Sequence, residues 1–157
     1  MRRVLMVVCA LAMPAAGVLA FASTSSAATF TGVTCTKLSG TFNPTAESAS
    51  GKLTGCTKSY TGDSGTFSGA LATESGTTKW ANKGVTTFED LTGTASSGCP
   101  GSDLTYVITG TVEKSTGKAK GITKGSDLSA TLCINVTKST VTLEKKTKFE
   151  IEPAVSS

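Results

Sequence analysis

The sequence predicts an all-β fold, an antiparallel β-sandwich or small β-barrel of about eight to ten short strands. Three observations predict it. Thr and Val, which favour strands, recur throughout residues 29–157, and helix patterns are nearly absent there. Gly or another turn former appears at short intervals. Several stretches alternate apolar and polar residues with period two, as a strand with one wet face does.

The chain opens with Met1-Arg2-Arg3 and the apolar run "VLMVVCALAMPAAGVLAFA", followed by small residues. This is the pattern of a secretory signal peptide, residues 1–28, with cleavage expected before Thr29 and a second candidate point before Ser23. Residues 29–157 are then one domain, of ordinary single-domain size. The stretches "TFTGVTCTKL", "GKLTGCTKS" and "SGTFSGALATE" read as short strands. Between the first two, "TFNPTAESASG" lacks periodicity, contains Pro44, and reads as a mobile loop. "TTKWANKGVTTFEDL" reads as a hairpin turning at Asn82-Lys83-Gly84.

"DLTYVITGTVEKS" places Leu104, Tyr106, Ile108 and Val112 on a buried face, with "STGK" as a turn and "AKGITK" as the return. "DLSATLCINV" places Leu128, Ala130, Leu132, Ile134 and Val136 on one face and Cys133 on the other. "TVTLEKKTKFEIE" aligns Val141, Leu143, Phe149 and Ile151, as one long strand or as two with a bulge near Lys145.

Four cysteines follow the leader: Cys35, Cys56, Cys99 and Cys133. An even number in an exported chain reads as a disulfide framework with three connectivities. The pairing Cys35–Cys56 and Cys99–Cys133 is favoured, because each bond closes a local loop. The bond at Cys133 is expected outside the main apolar layer, pinning the "SSGCPGSD" loop.

"CTKLSGTF" from Cys35 and "CTKSYTGDSGTF" from Cys56 echo one another. Each copy reads as a strand bearing cysteine and lysine, a turn, and a strand opening Gly-Thr-Phe. On such strands Lys37 and Lys58 share the faces of Cys35 and Cys56, and Leu38 and Leu53 point into the core. "GVTCTKLSGTF", "GKLTGCT", "SGTFSGAL" and the lone Trp80 together resemble a group of small exported actinobacterial proteins without assigned activity. The resemblance covers roughly residues 30–85 and implies export and a β-rich fold. The group carries a further cysteine before the tryptophan, whereas here none lies between Cys56 and Cys99.

The chemistry is bounded by what the chain lacks. It has no histidine, which removes Ser-His-Asp and Cys-His nucleophile systems and ordinary zinc or copper sites. Ser115 and Lys118 match an S-x-x-K spacing but fall on a hairpin tip. Glu89-Asp90 and the lone acids Asp63, Glu74, Asp103 and Asp127 read as solvated charges. No catalytic residue, metal ligand or cofactor is assigned, and the chain is read as a non-enzyme. Both arginines leave with the signal; 13 lysines against 11 acids leave a net charge of +2, too weak for a nucleic-acid footprint.

Ligand contact is assigned to Trp80, whose chain neighbours are polar, and to Lys37 and Lys58. The expected function is a secreted, monomeric, non-catalytic β domain that binds or builds structure in the cell envelope or medium, with an envelope glycan or a secreted protein as its partner. A membrane-inserting or assembling β protein is one alternative. An inhibitor of hydrolases or proteases presenting "SSGCPGSD" is another.

Overall fold

A computed structural model describes residues 29–154, so the expected signal peptide lies outside the described residues. The chain folds as an up-and-down antiparallel barrel of nine strands. They are β1 (Val33–Asn43), β2 (Ser48–Cys56), β3 (Ser64–Ala70), β4 (Ser75–Trp80), β5 (Val85–Ser96), β6 (Leu104–Thr116), β7 (Asp127–Asn135), β8 (Thr140–Leu143) and β9 (Phe149–Glu152). A short helix, α1 (Lys58–Thr61), joins β2 to β3. Single 3₁₀ turns at Leu71–Thr73 and Gly117–Ala119 follow β3 and β6.

Of the sandwich and the barrel, the chain forms the barrel. Each strand from β1 to β7 pairs with the next, and β1 pairs in turn with β8 and β9, so the sheet closes on itself and leaves no long edge. The last two strands share one stave. β8 pairs Thr140–Thr142 with Thr41–Ser39 of β1, and β9 pairs Phe149–Ile151 with Cys35–Val33. Both also pair with β7, β8 at Leu132–Asn135 and β9 at Asp127–Ala130. Residues 144–148 bulge out between them, turned by Lys146 with φ 70° and held by Glu144 N–H donating to Thr131 O at 2.9 Å. This is the interrupted strand expected near Lys145.

Alternation sends one face of each strand inward. Leu128, Ala130, Leu132 and Ile134 of β7 are buried, as are Val141, Phe149 and Ile151, while the outward positions are largely Thr, Ser and Lys. The centre is filled by Phe67, Phe88 and Phe149, whose ring centroids stand 5.8 to 6.5 Å apart with tilted or edge-on planes. Tyr60, Trp80, Ala119, Ile122 and Phe30 plug one end, with the Phe30 and Tyr60 rings edge-on at 5.3 Å.

Both disulfides form as favoured, Cys35–Cys56 and Cys99–Cys133. Their surroundings differ from each other. Cys133 lies on the outer face of β7 and is covered by the loop 97–103 that its bond holds down. Cys35 and Cys56 are directly opposed on β1 and β2 and are buried in the core, which corrects the expectation that they share the wet face of Lys37. Gly55, at φ 63°, sits opposite Thr36, and neither belongs to a paired position; across this irregularity the inward parity switches, so Cys35 and Leu38 both face the core.

Four further expectations are corrected. "TFNPTAESASG" is the tip and flank of the β1–β2 hairpin, whose turn is fixed by Asn43 Oδ1 accepting Thr45 N–H at 3.0 Å and Ala46 N–H at 3.2 Å. The first echo, residues 35–42, runs in one unbroken strand, so only the second copy contains a turn. "AKGITK" is loop and not a return strand. Leu104 and Val136, assigned to buried faces, are each 46% exposed at the ends of their strands.

Candidate binding cup at the barrel mouth

In a meander barrel successive connections alternate between ends. The turns 44–47, 71–74, 97–103 and 136–139 therefore gather at the end opposite the aromatic plug. That end is hollow. A cavity of about 260 Å³ opens there, floored by Phe67 and walled by Leu91, Ile108, Leu132 and Ile134. Phe42, Ala49, Leu71 and Tyr106 complete the wall, and Glu47 stands at the rim as its charged residue.

The hollow follows from residue size. Three inward positions on three different staves carry Ala49, Gly69 and Gly93 where large side chains would fill the barrel. A Cβ at Gly69 would meet the Phe67 ring at 2.7 Å, and one at Gly93 would meet Leu71 Cδ1 at 2.9 Å, so these glycines let the neighbouring apolar groups lean over them. On β5, Asp90 at φ 56° forms a bulge that brings both Phe88 and Leu91 inward. Phe42, Ala49, Leu71 and Tyr106 are only partly buried although they pack on the core. Apolar surface that the fold leaves uncovered is thus collected inside the mouth.

The rim is fixed on all sides. Leu71 N–H donates to Glu47 O at 3.0 Å, and Leu91 N–H donates to Glu74 O at 2.9 Å, tying two turns to each other and to β5. Across the mouth, the Cys99–Cys133 bond and Asn135 Nδ2 donating to Asp103 Oδ1 at 2.7 Å clamp loop 97–103 to the wall. Lys138 N–H donates to Asn135 Oδ1 at 2.8 Å, and Phe42 N–H donates to Ser139 O at 3.0 Å, so the fourth turn is tied in as well. A cup held this way needs little ordering on binding.

The ligand-contact residues read from the sequence lie elsewhere, apart from one another. Trp80 is 3% exposed near the plugged end, its Nε1 donating to Thr86 Oγ1 at 2.9 Å, so its ring is packed and has no open face for a sugar. Lys58 is not on a strand but opens α1, where its Nζ sits 3.4 Å from an Asp63 carboxylate oxygen. Lys37 is exposed on the outer wall beside the 144–148 bulge. Ser115 Oγ donates to Thr86 Oγ1 at 3.1 Å, and Lys118 is exposed in the loop beyond it. Among the described residues no group of three or more Cys, Asp or Glu is placed to hold a metal ion, and no helix is long and apolar enough to cross a membrane.

Tyr106 and Ile108 were legible as one inward face, but as core and not as a cup wall. The signal for the cup is the coincidence of small residues at inward positions near strand ends. It becomes visible only once the register of neighbouring strands is known. No protein-family model, curated protein or solved structure matches the chain.

Proposed function

We propose that the chain is an exported, non-catalytic binding protein that carries a small apolar molecule in the barrel mouth. The observation that carries this reading is the apolar cup itself: a preformed hollow of about 260 Å³ in an otherwise filled barrel. Its volume sits just below the range of roughly 300–1,000 Å³ usual for small-molecule sites, so the ligand is a single ring system or a medium-length alkyl chain. The Tyr106 hydroxyl and the Glu47 carboxylate supply polar contacts for one end of such a ligand.

The affinity is modest. About ten buried carbons contribute about 8 kcal/mol at ~0.8 kcal/mol each. Association costs at least about 4 kcal/mol. The remainder corresponds to a Kd in the millimolar range, lowered by the preformed rim and by contact with the Phe67 and Tyr106 rings. The polar outer wall supports a water-soluble carrier over a membrane-inserted barrel, which needs an outward apolar band. The two disulfides fit an exported chain.

Titration with the neutral fluorophore 1-aminonaphthalene, a single ring system, tests the proposal. The wild-type chain should enhance its emission saturably, and Ala49→Phe, which fills the cup from a partly buried position, should weaken binding at least about tenfold with little change in melting. Equal binding by both proteins overturns the reading.

A further inference from the structure

The connections at the two ends of the barrel differ in charge. At the plugged end, the segments 57–63, 81–84 and 117–126 carry Lys58, Lys83, Lys118, Lys120 and Lys124 against Asp63 alone. At the mouth, the four turns carry Glu47, Glu74 and Asp103 against Lys138. The adjoining strand ends on the plugged side add Lys79 and Lys114, and also Glu113, Asp127 and Glu152, so the lysine excess belongs to the loops. All five loop lysines are exposed.

These loops form one rigid face. Asn82 Nδ2 donates to Tyr60 O at 2.7 Å, and Ala81 N–H donates to Ser64 O at 2.9 Å. A Cβ on Gly84 would meet Ala119 N at 2.5 Å, and one on Gly121 would meet the Tyr60 ring at 2.5 Å, so the three segments are in close contact. The two large apolar residues that stand exposed among the described residues, Leu104 and Val136, are both at the mouth. The lysine face therefore has charge without an apolar wedge, which suits adsorption to headgroups and not insertion among acyl chains.

The first described residues lie on the same side. β1 starts at Val33 beside the end of β9, and Thr29 precedes it there. Cleavage at the expected point before Thr29 thus leaves the new α-amino group, a further positive charge, at the lysine-rich end. A face broad enough to involve three loops fits a planar anionic surface better than a linear polymer, which asks for a groove.

We infer that the plugged end is a docking face for an anionic lipid bilayer, which holds the domain with its mouth turned away from the membrane. Lysines near such a surface act independently of one another, screened over a Debye length, so binding should fall steeply with salt.

The test uses the processed, exported chain and sedimentation with vesicles of phosphatidylglycerol and phosphatidylcholine. Binding should be present at about 0.05 M salt and lost at about 0.5 M, and absent on pure phosphatidylcholine at either. The variant Lys83→Gln/Lys118→Gln/Lys120→Gln/Lys124→Gln should bind at least about tenfold more weakly. The wall variant Lys37→Gln/Lys52→Gln/Lys145→Gln/Lys146→Gln, of equal charge, should bind nearly as the wild type does. In the wild-type chain, acetylation footprinting on vesicles should protect Lys118, Lys120 and Lys124 but not Lys138, and this holds whether or not the variants fold. Equal losses in both variants, protection at Lys138, or binding to soluble polyphosphate but not to the vesicles would each overturn the inference.

Discussion

Thr78 and Thr86 face one another across β4 and β5, and both are fully buried. Their hydroxyls have opposite fates. Thr86 Oγ1 accepts Trp80 Nε1 and Ser115 Oγ, whereas Thr78 Oγ1 has no partner among the described residues. Thr86→Val should therefore strand two donors and cost about 1–3 kcal/mol in urea unfolding. Thr78→Val removes a hydroxyl that is already unpaired, and should be neutral or stabilising in the same measurement. An equal loss for both would show that the hydrogen bonds to Thr86 carry no weight. Gly84 offers a second contrast at this scale. A Cβ there would collide with the backbone of Ala119, so Gly84→Ala should cost about 1–3 kcal/mol, whereas Lys37→Ala on the outer wall should stay within about 0.5 kcal/mol. The exposed position of Lys37 was legible from its sequence neighbours. The burial of Trp80 was not, because its chain neighbours are polar and its partners Thr86 and Ser115 arrive from other strands.

The eighth stave is the element that sets this barrel apart from a regular meander. Between Ser39 and Cys35, β1 has no pairing with either β8 or β9, because residues 144–148 bulge away. Backbone amides of Lys145 and Lys146, and those in 36–38 that face the bulge and not β2, should consequently exchange with solvent faster than those of the flanking pairs; uniform protection along β1 would contradict this. Loop 97–103 depends on its clamp. Cys99→Ala/Cys133→Ala should lower stability by about 2–5 kcal/mol and raise exchange in the loop while the barrel amides stay protected. Strand identity was largely readable here, since β7 and the β8–β9 stave show clean alternation from Leu128 to Ile134 and from Val141 to Ile151. The parity switch between Cys35 and Leu38 was not. It is set by the backbone of Gly55 on the neighbouring strand, which leaves no trace in the alternation of β1.

At the scale of the whole molecule, β composition and short turns predicted the class, but closure rests on the first strand meeting the last, a pairing that no local pattern encodes. The cup shares that origin, since Ala49, Gly69 and Gly93 define a hollow only after the staves are assembled around them. Any ligand that binds there and not to the unfolded chain should raise the melting temperature, by the equivalent of about 2.7 kcal/mol at a hundredfold excess over Kd. Methyl NMR during a titration with 1-octanol is the most direct test of a ligand-binding mouth. Resonances of Ala49, Leu71, Leu91, Ile108, Leu132 and Ile134 should shift together along one saturable curve, while those of Val33, Leu53, Val112 and Leu128 stay in place. Shifts scattered over the outer wall, or none at the mouth up to the solubility limit of 1-octanol, would contradict the account.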